Sequence, residues 1–189
     1  MRNLTLGAII LYKNIPGFTS WLQRIMLGIP YSHSSIYIGE NELGRAEEFE
    51  ANLEVGTTTF VDSVEYREVY NIIGVPEDVM KRVLNGLMDE FEERTYGFIS
   101  WLTIFLRRCF ELIGYNAKGW KILWGWGVQC SKLVYHFLMR LAKEMKWKDL
   151  EEFLDQYNSD LFHPGDVKLI LDTFNNYFKE LANGRNHNN

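Results

Sequence analysis

The order of segments in the sequence predicts an α+β domain, with a small, mostly antiparallel sheet or barrel packed against helices. Three observations carry that prediction. Stretches with period-two alternation or β-branched and aromatic enrichment crowd the region before Pro76. Stretches whose apolar residues recur every three to four positions dominate after it. The chain has 189 residues, 47% hydrophobic and 24% charged, which is the balance of one globular domain. Residues 1–182 are expected to form that single domain and 183–189 a polar tail.

Each element has its own justification. Residues 6–13 are an apolar run broken by Lys13, short enough for a buried strand. Residues 16–27 place Phe18, Trp21, Leu22 and Ile25 on one helical face, and Gly28–Pro30 ends that helix. Residues 34–39 alternate, with Ile36 and Ile38 against Ser35 and Tyr37. The turn at 41–44 makes residues 46–51 the return strand of a hairpin. Residues 57–61 and 66–73 are further strands. Pro76 opens a helix to about Glu93. Residues 98–113 form a helix with little polar surface, followed by a Gly/Trp-rich connector to Gly127. Residues 98–127 therefore read as an aromatic-rich insertion or lid. The clearest amphipathic helix spans 130–147, with Leu133, Val134, Phe137, Leu138 and Leu141 in its stripe. Residues 149–157 and 167–182 read as helices too.

Composition excludes several functions. Twenty basic and 25 acidic residues give a net charge of −5, unlike a protein that grips nucleic acid by neutralising phosphates. Two cysteines make neither a disulfide framework nor, without several histidine partners, a zinc site, so no metal or cofactor is expected. The N-terminal apolar run lacks the length and small-residue cleavage site of a signal peptide. The stretch 98–113 is interrupted by Arg107 and Arg108 and falls short of the ~18–20 apolar residues that span a bilayer. The expectation is a cytoplasmic protein with reduced thiols and no integral membrane segment, of bacterial or phage type.

Two places in the sequence suit chemistry. Cys130 opens the 130–147 helix and shares the direction of its apolar stripe. The free N–H groups and positive end of a helix favour a thiolate there, and would also favour an oxyanion formed by attack on a carbonyl. Such a nucleophile needs a base, usually a neutral imidazole. His136, six residues on, is rotated from Cys130 by ~120° and displaced by ~9 Å. His163 stands in a turn before Pro164–Gly165, and His187 in the tail. That leaves His33, on a strand that can present it rigidly. A third group that holds the ring is sought on the hairpin's return strand, where Glu48 and Glu50 share one face and Glu47 takes the other. Glu50 is the first choice and Glu48 the second; periodicity does not select between them. The bland readings stand beside these. A cysteine on an apolar helix face is usually a small buried hydrophobe, which is the better reading for Cys109. A strand histidine is more often a satisfied structural residue, and the three glutamates suit a solvated hairpin edge equally well.

Four blocks carry a resemblance. LGAIILYK followed by PYSHSSIYIGE, then EFEANLEVG, VQCSKLVYHFL and LFHPGDVKL are similar, in that order, to circularly permuted papain-fold proteins. The family is the NlpC-like cysteine peptidase superfamily, in its permuted YiiX-like branch, related to lecithin–retinol acyltransferase. His33 precedes Cys130, as the permutation requires. One departure is Gly7-Ala8, where family members commonly carry Gly-Asp. The resemblance implies a permuted papain-like fold, with Cys130 as nucleophile at a helix N-terminus, His33 as base and Glu50 as orienting residue. It implies amide, ester or thioester chemistry through an acyl-enzyme. The leading expectation is thus a cysteine hydrolase acting on an amide or peptide bond, with cell-wall peptides a frequent substrate in that superfamily. The alternatives are a lipid or acyl-ester hydrolase or acyltransferase with an aromatic acyl groove, and a dormant scaffold that binds without turnover.

Overall fold

The computed structural model describes residues 4–13, 30–51, 55–59, 67–92, 94, 106, 110, 113–114 and 129–181. The expected helices at 16–27 and 98–113, the Gly/Trp-rich connector, Cys109, His187 and the tail lie outside these residues, apart from isolated positions. Six strands form one sheet: β1 (Ile9–Lys13), β2 (Tyr31–Glu40), β3 (Ala46–Ala51), β4 (Val55–Thr59), β5 (Arg67–Ile72) and β6 (Phe178–Glu180). Their order is β4-β3-β2-β1-β5-β6, and every neighbouring pair is antiparallel. The described residues also form four α-helices: α1 (Glu77–Phe91), α2 (Cys130–Met145), α3 (Lys148–Leu154) and α4 (Pro164–Thr173). The protein is therefore α+β with an antiparallel sheet, as the order of segments predicts.

One face of the sheet makes the main core. Ile9, Leu11, Ile36, Phe49 and Tyr70 lie in a single buried cluster with the α2 stripe Leu133, Val134, Phe137, Leu138 and Leu141. Each such side chain contributes roughly 1.5–3 kcal/mol by leaving water. α2 also packs on α1 and α3, so the helix that begins with Cys130 is held from several sides. The chain approaches β1 through Gly7 at φ +81°, where a Cβ would lie 2.3 Å from Met80 Sδ and 3.2 Å from Phe137 Cζ. Only glycine fits that backbone against the helices. The reverse face carries a smaller apolar cluster of Ala8, Ile10, Tyr12 and Tyr37. By register it also carries His33, Ser35 and Glu48.

The end of the chain departs from the sequence expectation. The last helix starts at Pro164, earlier than its apolar period suggests, and stops at Thr173. Pro164 takes the first helical position, where a missing N–H costs nothing. His163 Nδ1 accepts hydrogen bonds from the Gly165 and Asp166 N–H groups, and Asp166 accepts from the His163 N–H. The expected helical continuation to residue 182 is wrong. Phe174 to Tyr177 form turns, and Phe178–Glu180 pair with β5. Phe174, Tyr177 and Phe178 match a helical spacing, but Asn175–Asn176 favours a turn, and Phe178 is buried from the sheet edge. No helix among the described residues is long and apolar enough to cross a membrane.

Candidate active site

The site forms where the tip of α2 meets β2. Gln129 is the N-cap, with extended backbone, and Cys130 is the first helical residue. β2 changes register against β1 between Tyr12 and Lys13: His33 faces Tyr12, Tyr31 faces Lys13, and Ser32 is the extra residue between them. A bulge of this kind adds twist and re-aims neighbouring side chains. Cys130 is 6% exposed, and its thiol lies close enough to the His33 ring and to Ser34 for both to favour its ionised form. Two residues that alternate along β2 thus converge on one atom.

The other side of the His33 ring is held by β3. Its Nε2 lies 2.6 Å from Glu50 Oε2, which leaves Nδ1 for the thiol. Thr58 on β4 donates from Oγ1 to Glu50 Oε1 at 2.8 Å. The Tyr12 ring packs beside the imidazole, with centroids 5.3 Å apart. Cys130, His33, Glu50 and Thr58 therefore form one chain of contacts drawn from α2, β2, β3 and β4.

Electrostatics favours charge separation along this chain. Burial, the largest influence on each partner, opposes ionisation of both. For His33 it is overcome by the adjacent Cys130 sulfur and then by Glu50, which raise the imidazole to about 10. For Cys130 it is overcome by His33 and by Ser34, which hold the thiol below its ordinary value. The positive end of α2 acts in the same direction. Both shifts favour a thiolate–imidazolium pair over a neutral thiol and imidazole.

The two glutamates left open by periodicity have different surroundings. Glu48, 4% exposed, accepts from the Tyr12 hydroxyl at 2.5 Å and from the Ser35 hydroxyl. Glu50 alone of the two touches His33. Neither is a solvated hairpin edge. The other described histidines lie elsewhere: His136 packs against Phe91 and Tyr135, and His163 caps α4. Thr58, Ser34 and Tyr12 were not singled out by the sequence. A threonine in a strand of threonines and a serine among serines carry no distinguishing signal, and only the register selects them.

Among the described residues, no group of three or more His, Cys, Asp or Glu side chains is placed to hold a metal ion. The arrangement can deliver a sulfur nucleophile, a proton donor beside it and a carboxylate that fixes the donor's ring. A comparison with protein-family models and one with curated proteins find no match to the chain.

Proposed function

We propose that the protein is a cysteine hydrolase of permuted papain-like architecture that cleaves an amide or peptide bond through an acyl-enzyme on Cys130. One observation carries this reading: the His33 ring is held between the Cys130 thiol and the Glu50 carboxylate. In the reaction the Cys130 thiolate attacks the substrate carbonyl carbon, and the carbonyl π pair moves to oxygen. As the tetrahedral intermediate collapses, the bond to the leaving nitrogen breaks, and His33 supplies that nitrogen with a proton. Neutral His33 then takes a proton from water, whose oxygen attacks the thioester and frees the acid and the thiolate. Glu50 keeps the ring aligned through both proton transfers. The reading includes action in the cytosol on a peptide, amide or acyl substrate, with cell-wall peptides the first class to try.

Iodoacetamide and p-nitrophenyl acetate test the reading together. Cys130 should alkylate at pH 7 faster than a thiol of pKa ~8.5, and the ester should give a stoichiometric burst. Cys130→Ala and His33→Ala should each lose turnover by a factor on the order of 10⁴ or more. Equal turnover by Cys130→Ala and the parent ends the hydrolase reading. Slow alkylation with no burst points instead to a dormant scaffold. A second reading, acyl-ester or lipid hydrolysis, draws on the exposed apolar residues Leu106, Phe110 and Ile113. It predicts a rate that climbs with acyl chain length in the p-nitrophenyl series.

A further inference from the structure

An acyl-transfer site needs donors for the oxygen that becomes negative, and beyond the backbone N–H groups at the tip of α2 the contacts of Cys130, His33 and Glu50 supply no side-chain donor for it. Gln129, directly before Cys130, is 5% exposed, and its Nε2 is buried with no hydrogen-bond partner. Its backbone caps α2, but its side chain makes no capping hydrogen bond. Leaving a buried amide donor unmet costs about 1–3 kcal/mol, and a fold that needed only bulk at this position would be served as well by methionine or leucine. Gln129 also directly precedes Cys130 at the N-terminus of α2, where first-turn N–H groups have no partner within a helix.

From these observations we infer that Gln129 is a further catalytic residue, whose side-chain amide donates to the substrate oxygen as Cys130 attacks. The inference rests on the acyl-enzyme reading above and adds to it the group that holds the developing charge. As the carbon–sulfur bond forms, the carbonyl π electrons pass to oxygen, and that oxygen accepts a hydrogen bond from Gln129 Nε2. The carbonyl re-forms when the bond to the leaving group breaks, and the leaving group departs with its proton from His33. Before attack the amide has no partner; in the intermediate it has a charged one. A contact made only then lowers the barrier without tightening substrate binding.

Gln129→Met keeps the length and removes the donor, and Gln129→Glu keeps the shape and replaces the donor with an acceptor. The p-nitrophenyl acetate burst, iodoacetamide alkylation and thermal unfolding are measured on both variants and on the parent. Acylation in Gln129→Met should fall about 10²–10³-fold. Alkylation, which forms no oxyanion, should stay within about twofold of the parent, and the Tm should be equal or higher because an unmet donor has been removed. Gln129→Glu should acylate no faster than Gln129→Met. An unchanged burst in Gln129→Met overturns the assignment and leaves the hydrolase reading standing. So does a parallel fall in alkylation and Tm, which makes Gln129 a structural residue. If Gln129→Met does not fold, Gln129→Glu decides by the same two readouts. No Cys130-dependent burst in the parent removes the hydrolase reading, and this assignment with it.

Discussion

Two buried carboxylate clusters sit on opposite faces of the sheet, and they differ in how completely they are satisfied. On the helix-covered face, Glu68 of β5 accepts from the Tyr31 hydroxyl at 2.8 Å, the Tyr70 hydroxyl at 3.2 Å and the Lys13 ammonium, with Lys168 of α4 4.0 Å away. Burial alone would raise its carboxyl, but Lys13 and Tyr31 hold it below the ordinary value of 4.5. Every group there is a fixed donor or acceptor, and none is a nucleophile. On the reverse face, Glu50 has the same kind of strand position and a similar burial, yet its cluster ends in a thiol and lies next to an unmet amide donor. The first cluster ties β1, β2, β5 and α4 together. The second keeps bonding capacity that the fold does not use, and unspent capacity at a buried nucleophile is what a substrate can draw on.

The largest effect that would sharpen this contrast is at Glu50. Glu50→Gln retains an acceptor for the imidazole N–H but not the negative charge that favours imidazolium. Turnover should drop by about 10- to 100-fold, short of the ~10⁴-fold loss seen where a triad carboxamide traps the wrong tautomer. The Tm should move little, because Thr58 and His33 both keep a partner. A variant that unfolds while its folded fraction turns over normally would make the Glu50 cluster structural, like its counterpart.

Glu68→Gln should do the reverse, at a smaller scale. Removing the charge leaves Lys13 without its counterion, while Lys168 keeps Asp172, and should lower stability by about 1–3 kcal/mol in urea unfolding. Alkylation of Cys130 should not change. The sign with pH follows from the depressed carboxyl. Its stabilisation is complete above the unfolded value of about 4.5 and is lost as pH falls through the lower folded value. The difference between parent and Glu68→Gln should therefore shrink in acid. A change in alkylation rate would couple the two clusters and erase the distinction.

The contrast between the clusters was only half legible in the sequence. Alternation places Glu48 and Glu50 on one face, and helical period places Cys130 at a helix start; both properties are local and survive in the folded chain. Register is not local. β3 pairs Glu48 with Tyr37, so each glutamate reaches the residue diagonal to it on β2: Ser35 for Glu48 and His33 for Glu50. The loop between the strands sets that offset, and a slip of two residues would bring Glu48 instead of Glu50 to His33 without altering the pattern. The tail shows the opposite failure. Phe174, Tyr177 and Phe178 satisfy a helical period, and the edge of β5 outcompetes it by offering an unpaired strand. Satisfaction itself is invisible in a sequence: Gln129 and Glu68 are both polar residues beside apolar ones, and only coordinates reveal which has partners.

The smallest expected effect tests the thiolate directly. Ser34 is fully buried, its hydroxyl has no hydrogen-bond partner among the described residues, and it lies close enough to Cys130 to favour the thiolate. Ser34→Ala removes this donor but keeps the backbone N–H and the imidazolium. The thiolate is then held by two groups instead of three. The acidic limb of the alkylation profile, set by protonation of the sulfur, should move upward by a few tenths of a pH unit, about the worth of one weak hydrogen bond to a charged acceptor. The plateau above it should keep its height, because every thiolate that remains is the same nucleophile. The alkaline side reports His33 through turnover rather than alkylation: loss of the imidazolium near pH 10 removes the proton donor but not the thiolate. Turnover should decline there while alkylation does not. An acidic limb that stays put in Ser34→Ala would show that the hydroxyl does not sense the charge, leaving His33 and the helix N-terminus to hold the thiolate alone.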